Sequence, residues 1–507
     1  MLVTAILLDA TGIQDYIFGS TQLKENIGAS FLVENVYEDI LKKSLEEIQF
    51  KNVDLNAWKK NPESILKPEI GFDIGYIGGG NALLFFKEQS KAKNFVRSWT
   101  KRLLIESPGL KTAAVITDFE LNDFSNELIK LFKKLKENKF RFQPQIVLPS
   151  HGITGECNRT GLSAEVFRKH DTKLIPVSSV VASKTDVTDK ANENLGKRFQ
   201  GILNNKYHFP EKIDELGQQK GENNFISIVH IDGNGIGDRF KACKTLKEIR
   251  ELSIKVENAT EKSMEKILKV TVDNYAKFRD NFKLEEYKLP VRPIIFGGDD
   301  VTFITDGRLG VYFARIFIEE FIKYDAGDGK PLSVCAGIAI TKSKYPFYRG
   351  YELSEQLCRE AKKKAKEEDN KSSWLDFHIA SGGFSGTITE IREKNYTVPE
   401  GNLCLRPYRV AGIKTDYRDL KECINGINHL NKWPRSKLME LREILNEGQI
   451  ASEQFIKEIE FRGLKLPEVK DNSKFKNSGW SDKITPYFDM IDLKDFYPDF
   501  EIDEVKY

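Results

Sequence analysis

Apolar and polar positions along the chain fall into one order of elements that occurs twice. In the first set, an apolar run at 3–9 predicts a strand. Helical spacing follows at about 22–48, then strands at 71–77 and 82–87, a helix at about 88–106 and a strand at 112–118. A Lys-rich amphipathic helix is predicted at about 122–138. The second set has a strand at 225–231, a helix at about 245–280 and strands at 290–296 and 301–305. A helix at about 309–325, a strand at 332–341, a helix at about 351–368 and a strand at 374–380 complete it. This βαββαβ order is the ferredoxin-like arrangement on which palm domains are built.

Each set centres on a hairpin. Residues 292–305 read Arg-Pro-Ile-Ile-Phe-Gly-Gly-Asp-Asp-Val-Thr-Phe-Ile-Thr, and residues 74–86 read Ile-Gly-Tyr-Ile-Gly-Gly-Gly-Asn-Ala-Leu-Leu-Phe-Phe. An apolar run, glycines and a second apolar run predict a tight turn that needs positive φ. The second turn carries Asp299 and Asp300 where the first has Gly80 and Asn81. The preceding strands end alike, in Asp232 and in Asp9.

The fold class expected is α+β, with four domains. These are a first palm at 1–139, an inter-palm linker at 140–222, a second palm at 223–392 and a helical C-terminal domain at 393–507. Residues 49–70 look like a surface insertion, and 140–222 look irregular with a few helical turns. Helices are expected near 416–430, 435–446 and 450–461, before a mixed acidic and aromatic tail at 489–507.

Composition adds limits. The 78 Lys and Arg nearly balance 76 Asp and Glu, so phosphate binding must be local rather than a property of the whole surface. Six cysteines (157, 243, 335, 358, 404 and 423) never form a Cys-x-x-Cys pair and read as reduced thiols. The first 20 residues lack a basic leader, and no stretch of 18 apolar residues occurs, so a cytoplasmic protein is expected.

Asp299 and Asp300 alone could be ordinary turn residues. Asp232 at the end of the neighbouring strand makes a third carboxylate, and three such charges repel unless cations or protons offset them. The set Asp232, Asp299 and Asp300 is therefore the expected catalytic and metal-binding group, and Mg2+ or Mn2+ suits its oxygen ligands. The turn Gly233, Asn234, Gly235, Ile236, Gly237 offers backbone N–H groups to phosphates, beside Gly297 and Gly298. Lys362 and Lys366, four apart on the helix at about 351–368, are candidate triphosphate ligands; the alternative is a solvated charged face. Gly78, Gly79 and Gly80 leave room for a nucleotide against the first hairpin. Cys157 and His151 do not make a zinc site by themselves, and His230 inside a strand is expected to be packed.

The motifs Asp-Ala-Thr-Gly-Ile-Gln-Asp-Tyr-Ile-Phe at 9–18, Asn-Ile-Gly-Ala-Ser at 26–30, Gly-Gly-Gly-Asn at 78–81 and Asp-Gly-Asn-Gly-Ile-Gly at 232–237 carry a resemblance. So do Phe-Gly-Gly-Asp-Asp at 296–300, Cys-Arg-Glu-Ala-Lys-Lys-Lys-Ala-Lys at 358–366 and Thr-Pro-Tyr-Phe-Asp-Met-Ile-Asp-Leu at 485–493. With them the chain resembles the large polymerase-like subunit of type III CRISPR effector complexes, the family that makes cyclic oligoadenylates. The resemblance implies ATP as substrate, two metal ions in the second palm, and RNA and effector subunits as partners. Two features depart from that family. The first palm begins at residue 3, so no His-Asp nuclease domain is expected, and of the inter-palm zinc cysteines only Cys157 remains.

Two functional expectations follow. The first is a metal-dependent nucleotidyltransferase making a cyclic oligonucleotide from ATP, without need of a homo-oligomer because both palms lie on one chain. The second is an RNA- and protein-binding scaffold with little activity of its own. A diguanylate-cyclase-like enzyme is a third reading, in which a similar palm normally works as a dimer.

Overall fold

The computed structural model describes the chain apart from residues 21, 63–70, 141–151, 171–172, 218–223, 328, 369–370, 381, 383–385, 471 and 505–507; His151 is thus outside the described residues. The first sheet comprises β1 (Leu2–Thr11), β2 (Phe72–Gly78), β3 (Asn81–Phe86) and β4 (Lys111–Glu120), in the order β2-β3-β1-β4. All neighbours are antiparallel, as a ferredoxin-like unit requires. The central strand β1 is buried from Val3 to Ala10, which explains its unbroken apolar run. The helix expected over 22–48 is instead two, Leu23–Asn35 and Asp39–Glu47. The break turns Tyr37 inward, where its hydroxyl donates to Gly80 O.

The segment between the palms has more order than the sequence suggests. A hairpin of β5 (Val166–His170) and β6 (Lys173–Val177) leads into helices Ser179–Asp186 and Thr188–Arg198. Cys157 is buried there and free, among Val177, Val181 and Ala182.

The second sheet contains β7 (Phe225–Gly233), β8 (Val291–Gly297), β9 (Asp300–Asp306), β10 (Val334–Lys342) and β11 (Ser373–Ala380). A small pair, β12 (Thr397–Val398) and β13 (Gly401–Asn402), precedes the last strand, β14 (Tyr408–Ala411). The order β14-β11-β10-β7-β9-β8 contains the first sheet's four-strand order at one end. Strand β11 pairs in parallel with β10, so the chain must cross over between them, and helix Phe347–Glu368 makes that crossing. Its Leu353, Leu357, Ala361 and Ala365 are buried, the predicted apolar stripe. C-terminal helices Leu420–Leu430, Arg435–Glu447 and Gln449–Phe461 agree closely with expectation. No helix among the described residues is long and apolar enough to cross a membrane.

The two palms grip each other reciprocally. Strand β2 shifts register between Ile74 and Tyr76, and β8 does so between Pro293 and Ile295. A bulge leaves backbone carbonyls without ladder partners, and here the opposite palm satisfies them. Arg250, on helix Leu246–Asp273 of the second palm, donates to Ile74 O and to Gly75 O (3.1 Å) and pairs with Asp73 at 3.0 Å. Ser30, on helix Leu23–Asn35 of the first palm, donates to Ile294 O. The guanidinium of Arg250 is fully buried, a cost its carbonyl and carboxylate partners offset.

These grips bring the two turns together. A Cβ built on Gly298, whose φ is +63°, would lie 3.2 Å from the N and Cα of Gly79. Neither turn can widen without pushing the palms apart.

Candidate active site between the palms

The second turn is a two-residue loop, Gly298 and Asp299, closed by the Gly297–Asp300 pair. Only Gly298 there has positive φ, whereas in the first turn both Gly79 (+58°) and Gly80 (+76°) do. The turns therefore aim their side chains differently. Asp299 lies over the end of β7: a Cβ on Gly233 would stand 2.6 Å from Asp299 Oδ2 and 2.9 Å from Asp299 Cβ. Glycine at 233 is what makes room for that carboxylate. The first palm has Ala10 at the equivalent place, and a Cβ on Gly80 would meet Ile13 Cδ1 at 2.5 Å.

Asp300 faces the cleft with Oδ2, which accepts from Gln14 Nε2 of the first palm at 3.5 Å. Its Oδ1 is sealed and accepts no hydrogen bond; the nearby His230 Nδ1, at 3.5 Å, is hydrogen-bonded with Thr302 Oγ1 at 3.2 Å. Burial lowers the His230 pKa, so the ring is neutral and packed, edge-on to Tyr351, as expected for a strand histidine. Burial, reinforced by the Asp232 charge, pushes the pKa of Asp299 up to about 6 and that of Asp300 up to about 7.

Asp232, close enough to raise both of these pKa values, is itself paired with a lysine. Lys362 Nζ pairs with its carboxylate and also donates to Gly233 O at 2.9 Å. Burial would depress the Lys362 pKa, but Asp232 outweighs it and the net shift is upward. The first palm has the same device, unseen in the sequence: Lys139 Nζ lies 2.7 Å from Asp9 Oδ2. Each lysine sits on the helix that follows its palm's fourth strand. Burial raises the Asp9 pKa, against the opposing pull of Lys139.

Several expected site residues fall differently. Asn234 does not offer its N–H to a ligand, because that group donates to Ser333 O at 2.8 Å and its side chain donates to Ser372 O at 3.2 Å. A buried loop has to satisfy its own polar groups first. Lys366 is exposed one turn beyond Lys362 and makes no hydrogen bond or ion pair among the described residues. Gly235, Gly237 and Gly297 are open, with no atom within 4 Å of an added Cβ, while Gly78 faces Ser253 Oγ at 3.4 Å. Among the described residues, no three His, Cys, Asp or Glu side chains stand ready-grouped for a metal ion.

The donor chemistry nonetheless suits a divalent cation. Three carboxylates meet near one turn, two of them reluctant to ionise, and one sealed carboxylate oxygen has no donor. A pH effect follows. Asp299 and Asp300 bind protons more tightly folded than unfolded, so their contribution to stability is fully present below about pH 4, the unfolded value, and is lost as pH rises through 6 to 7. A Mg2+ or Mn2+ ion held by these carboxylates would remove this penalty. The melting temperature is therefore expected to rise more on adding the ion at pH 8 than at pH 5; equal rises would show that these carboxylates do not take up the cation.

Asp300, alone of the three carboxylates, lines a cleft of about 1460 Å³ between the palms, together with Gly78, Gly79, Gly80, Gly297 and Gly298. Gln14, Lys139 and Arg198 also line it, three residues that sequence reasoning passed over. Only the motif around Gln14 gave any signal, through its place after the strand-end Asp9.

Comparison with known proteins bears on this site. Residues 225–373 match the model of the Cas10/Cmr2 second palm domain. The match contains β7, both strands of the acidic hairpin and helix Phe347–Glu368, and so Asp232, Asp299, Asp300 and Lys362. Among solved structures, an apo Csm1–Csm4 cassette is similar at 14% identity and a TM-score of 0.51, covering 97% of this chain and 70% of that one. Csm1 in T. onnurineus is similar at 14% identity and a TM-score of 0.50, covering 98% and 70%. A Csm1–Csm4 cassette in complex with pppApApA is similar at 12% identity and a TM-score of 0.50, covering 97% and 69%. At these identities the likeness is one of fold. No curated protein matches the sequence.

Proposed function

We propose that the chain is a metal-dependent nucleotidyltransferase that joins ATP into a cyclic oligoadenylate, a second messenger of CRISPR-type antiviral defence. The observation that carries this reading is the unequal pair of facing turns, one acidic and one bare, across a cleft of about 1460 Å³. Its support is the match of residues 225–373 to the Cas10/Cmr2 second palm, together with the pppApApA complex of a similarly folded Csm1.

In this reading Asp232, Asp299 and Asp300 hold two Mg2+ or Mn2+ ions. Such ions, when bound, lower the pKa of an attacking 3′-hydroxyl and neutralise charge on the leaving pyrophosphate. Lys362, which pairs with Asp232, would bind a triphosphate oxygen, and Asp232 would be one of the cation's ligands. Gly233, Gly235 and Gly237 would lend backbone to that triphosphate's side of the site, and Gly297 and Gly298 would border it from the cleft. The first palm positions the second ATP against Gly78, Gly79 and Gly80.

Incubation with each of the four nucleoside triphosphates and Mn2+, followed by mass analysis of products, tests the reaction and its base preference. An RNA gel shift at stated salt tests the scaffold reading: submicromolar RNA binding with no nucleotide turnover would favour it. Gly79→Val tests the first palm's part. A β-branched residue at φ +58° costs about 1–3 kcal/mol of strain, so turnover is compared at a temperature well below the variant's melting point. Loss of turnover there is expected; wild-type turnover would leave substrate binding to the second palm alone.

A further inference from the structure

The loops that follow β1 and β7 correspond residue for residue. Asp9, Ala10, Thr11, Gly12, Ile13 and Gln14 stand where the second palm has Asp232, Gly233, Asn234, Gly235, Ile236 and Gly237. Gly12 (φ +63°) and Gly235 (φ +67°) each cap a short helix in the left-handed conformation, so Gln14 and Gly237 occupy the same second helical position. The two palms differ there by a whole side chain. Gly237 leaves open space, whereas Gln14 crosses the cleft to Asp300 Oδ2.

The helix bearing Gln14, Ile13–Phe18, is tied to its surroundings on two sides. Lys184 Nζ donates to Tyr16 O at 2.6 Å, and Phe18 stacks on Tyr351 of the second palm with ring centroids 4.1 Å apart. Such anchoring holds a polar side chain in place more accurately than a loop does. Among the described residues, Gln14 is the one side chain that donates a hydrogen bond to the Asp300 carboxylate.

We propose that Gln14 is a positioning residue supplied in trans by the first palm. Its carboxamide holds Asp300 in the orientation that takes up a divalent cation, which ties cation loading to the docking of the palms. This rests on the reading of Asp232, Asp299 and Asp300 as the cation site, and its test needs no turnover. Mn2+ binding to the nucleotide-free protein is measured by titration calorimetry for wild type, Gln14→Ala, Gln14→Met, Asp300→Asn and the Gln14→Ala/Asp300→Asn double variant, each with a melting curve.

Both Gln14 variants are expected to bind Mn2+ about three- to tenfold more weakly, as for the loss of one hydrogen bond of ordinary strength. Gln14→Met preserves side-chain bulk, so its agreement with Gln14→Ala excludes a packing effect. In the Asp300→Asn background Gln14→Ala is expected to add nothing further. Wild-type affinity in Gln14→Met, or an undiminished Gln14 effect in that background, overturns the inference while the cation site stands. Unchanged affinity in Asp300→Asn itself overturns the cation site and the inference with it.

Discussion

Asp299→Asn combined with Asp300→Asn is expected to abolish product formation while making the metal-free protein more stable. The two effects share a cause. Both carboxylates are held above their ordinary pKa by burial and by Asp232, so the fold pays to keep them charged at neutral pH. Asparagine removes that repulsion with nearly the same shape, and the metal-free variant should melt higher than wild type at pH 8. Loss of the cation's charge stabilisation, several kcal/mol, should lower turnover by about a thousandfold or more. A trade of activity for stability is the mark of residues kept for chemistry. Product at the wild-type rate from the double variant, with Mn2+ and any RNA activator present, would end the nucleotidyltransferase reading.

A single methyl should do nearly as much harm. Gly233→Ala places a Cβ 2.6 Å from Asp299 Oδ2 and equally close to Ile236 Cγ1, and neither neighbour can stay where it is. Asp299 must swing off the strand end, and a displacement near 1 Å at a reacting centre costs about a hundredfold in rate. The fold itself should tolerate the change. Gly233 lacks positive φ, and Ala10 fills the equivalent place in the first palm. Turnover and the melting curve are measured together: a folded variant with full activity would mean that Asp299 does not act from its position over Gly233.

The same geometry shows what a sequence makes legible. The two hairpins, the strand-end aspartates and the βαββαβ order are local patterns, set by alternation and by turn residues, and they read directly. Asp232, Asp299 and Asp300 do approach one turn because neighbouring strands in this order must bring them there. The lysines show the limit. Helical spacing makes Lys362 and Lys366 equal candidates, yet only Lys362 reaches a carboxylate. Its counterpart Lys139 lay in a Lys-rich helix with nothing to single it out. Asn234 sits inside a plausible phosphate loop, and its N–H is nevertheless taken by Ser333 from the strand entry opposite. The reciprocal bulges and Gln14 depend on contacts between residues more than 170 positions apart, which no window on the sequence contains.

The facing turns have a consequence for how such a site can change over generations. In an assembly of identical copies related by a two-fold axis, any substitution appears on both sides of the interface. A bare turn opposite an acidic one is then unattainable. Here Gly79 lies close against Gly298 where two similar palms meet, but both halves are written into one chain. Each half is free to mutate alone, so one could shed its acid and gain Gln14 while the other kept both aspartates. Fusion is what lets two turns so unlike face each other.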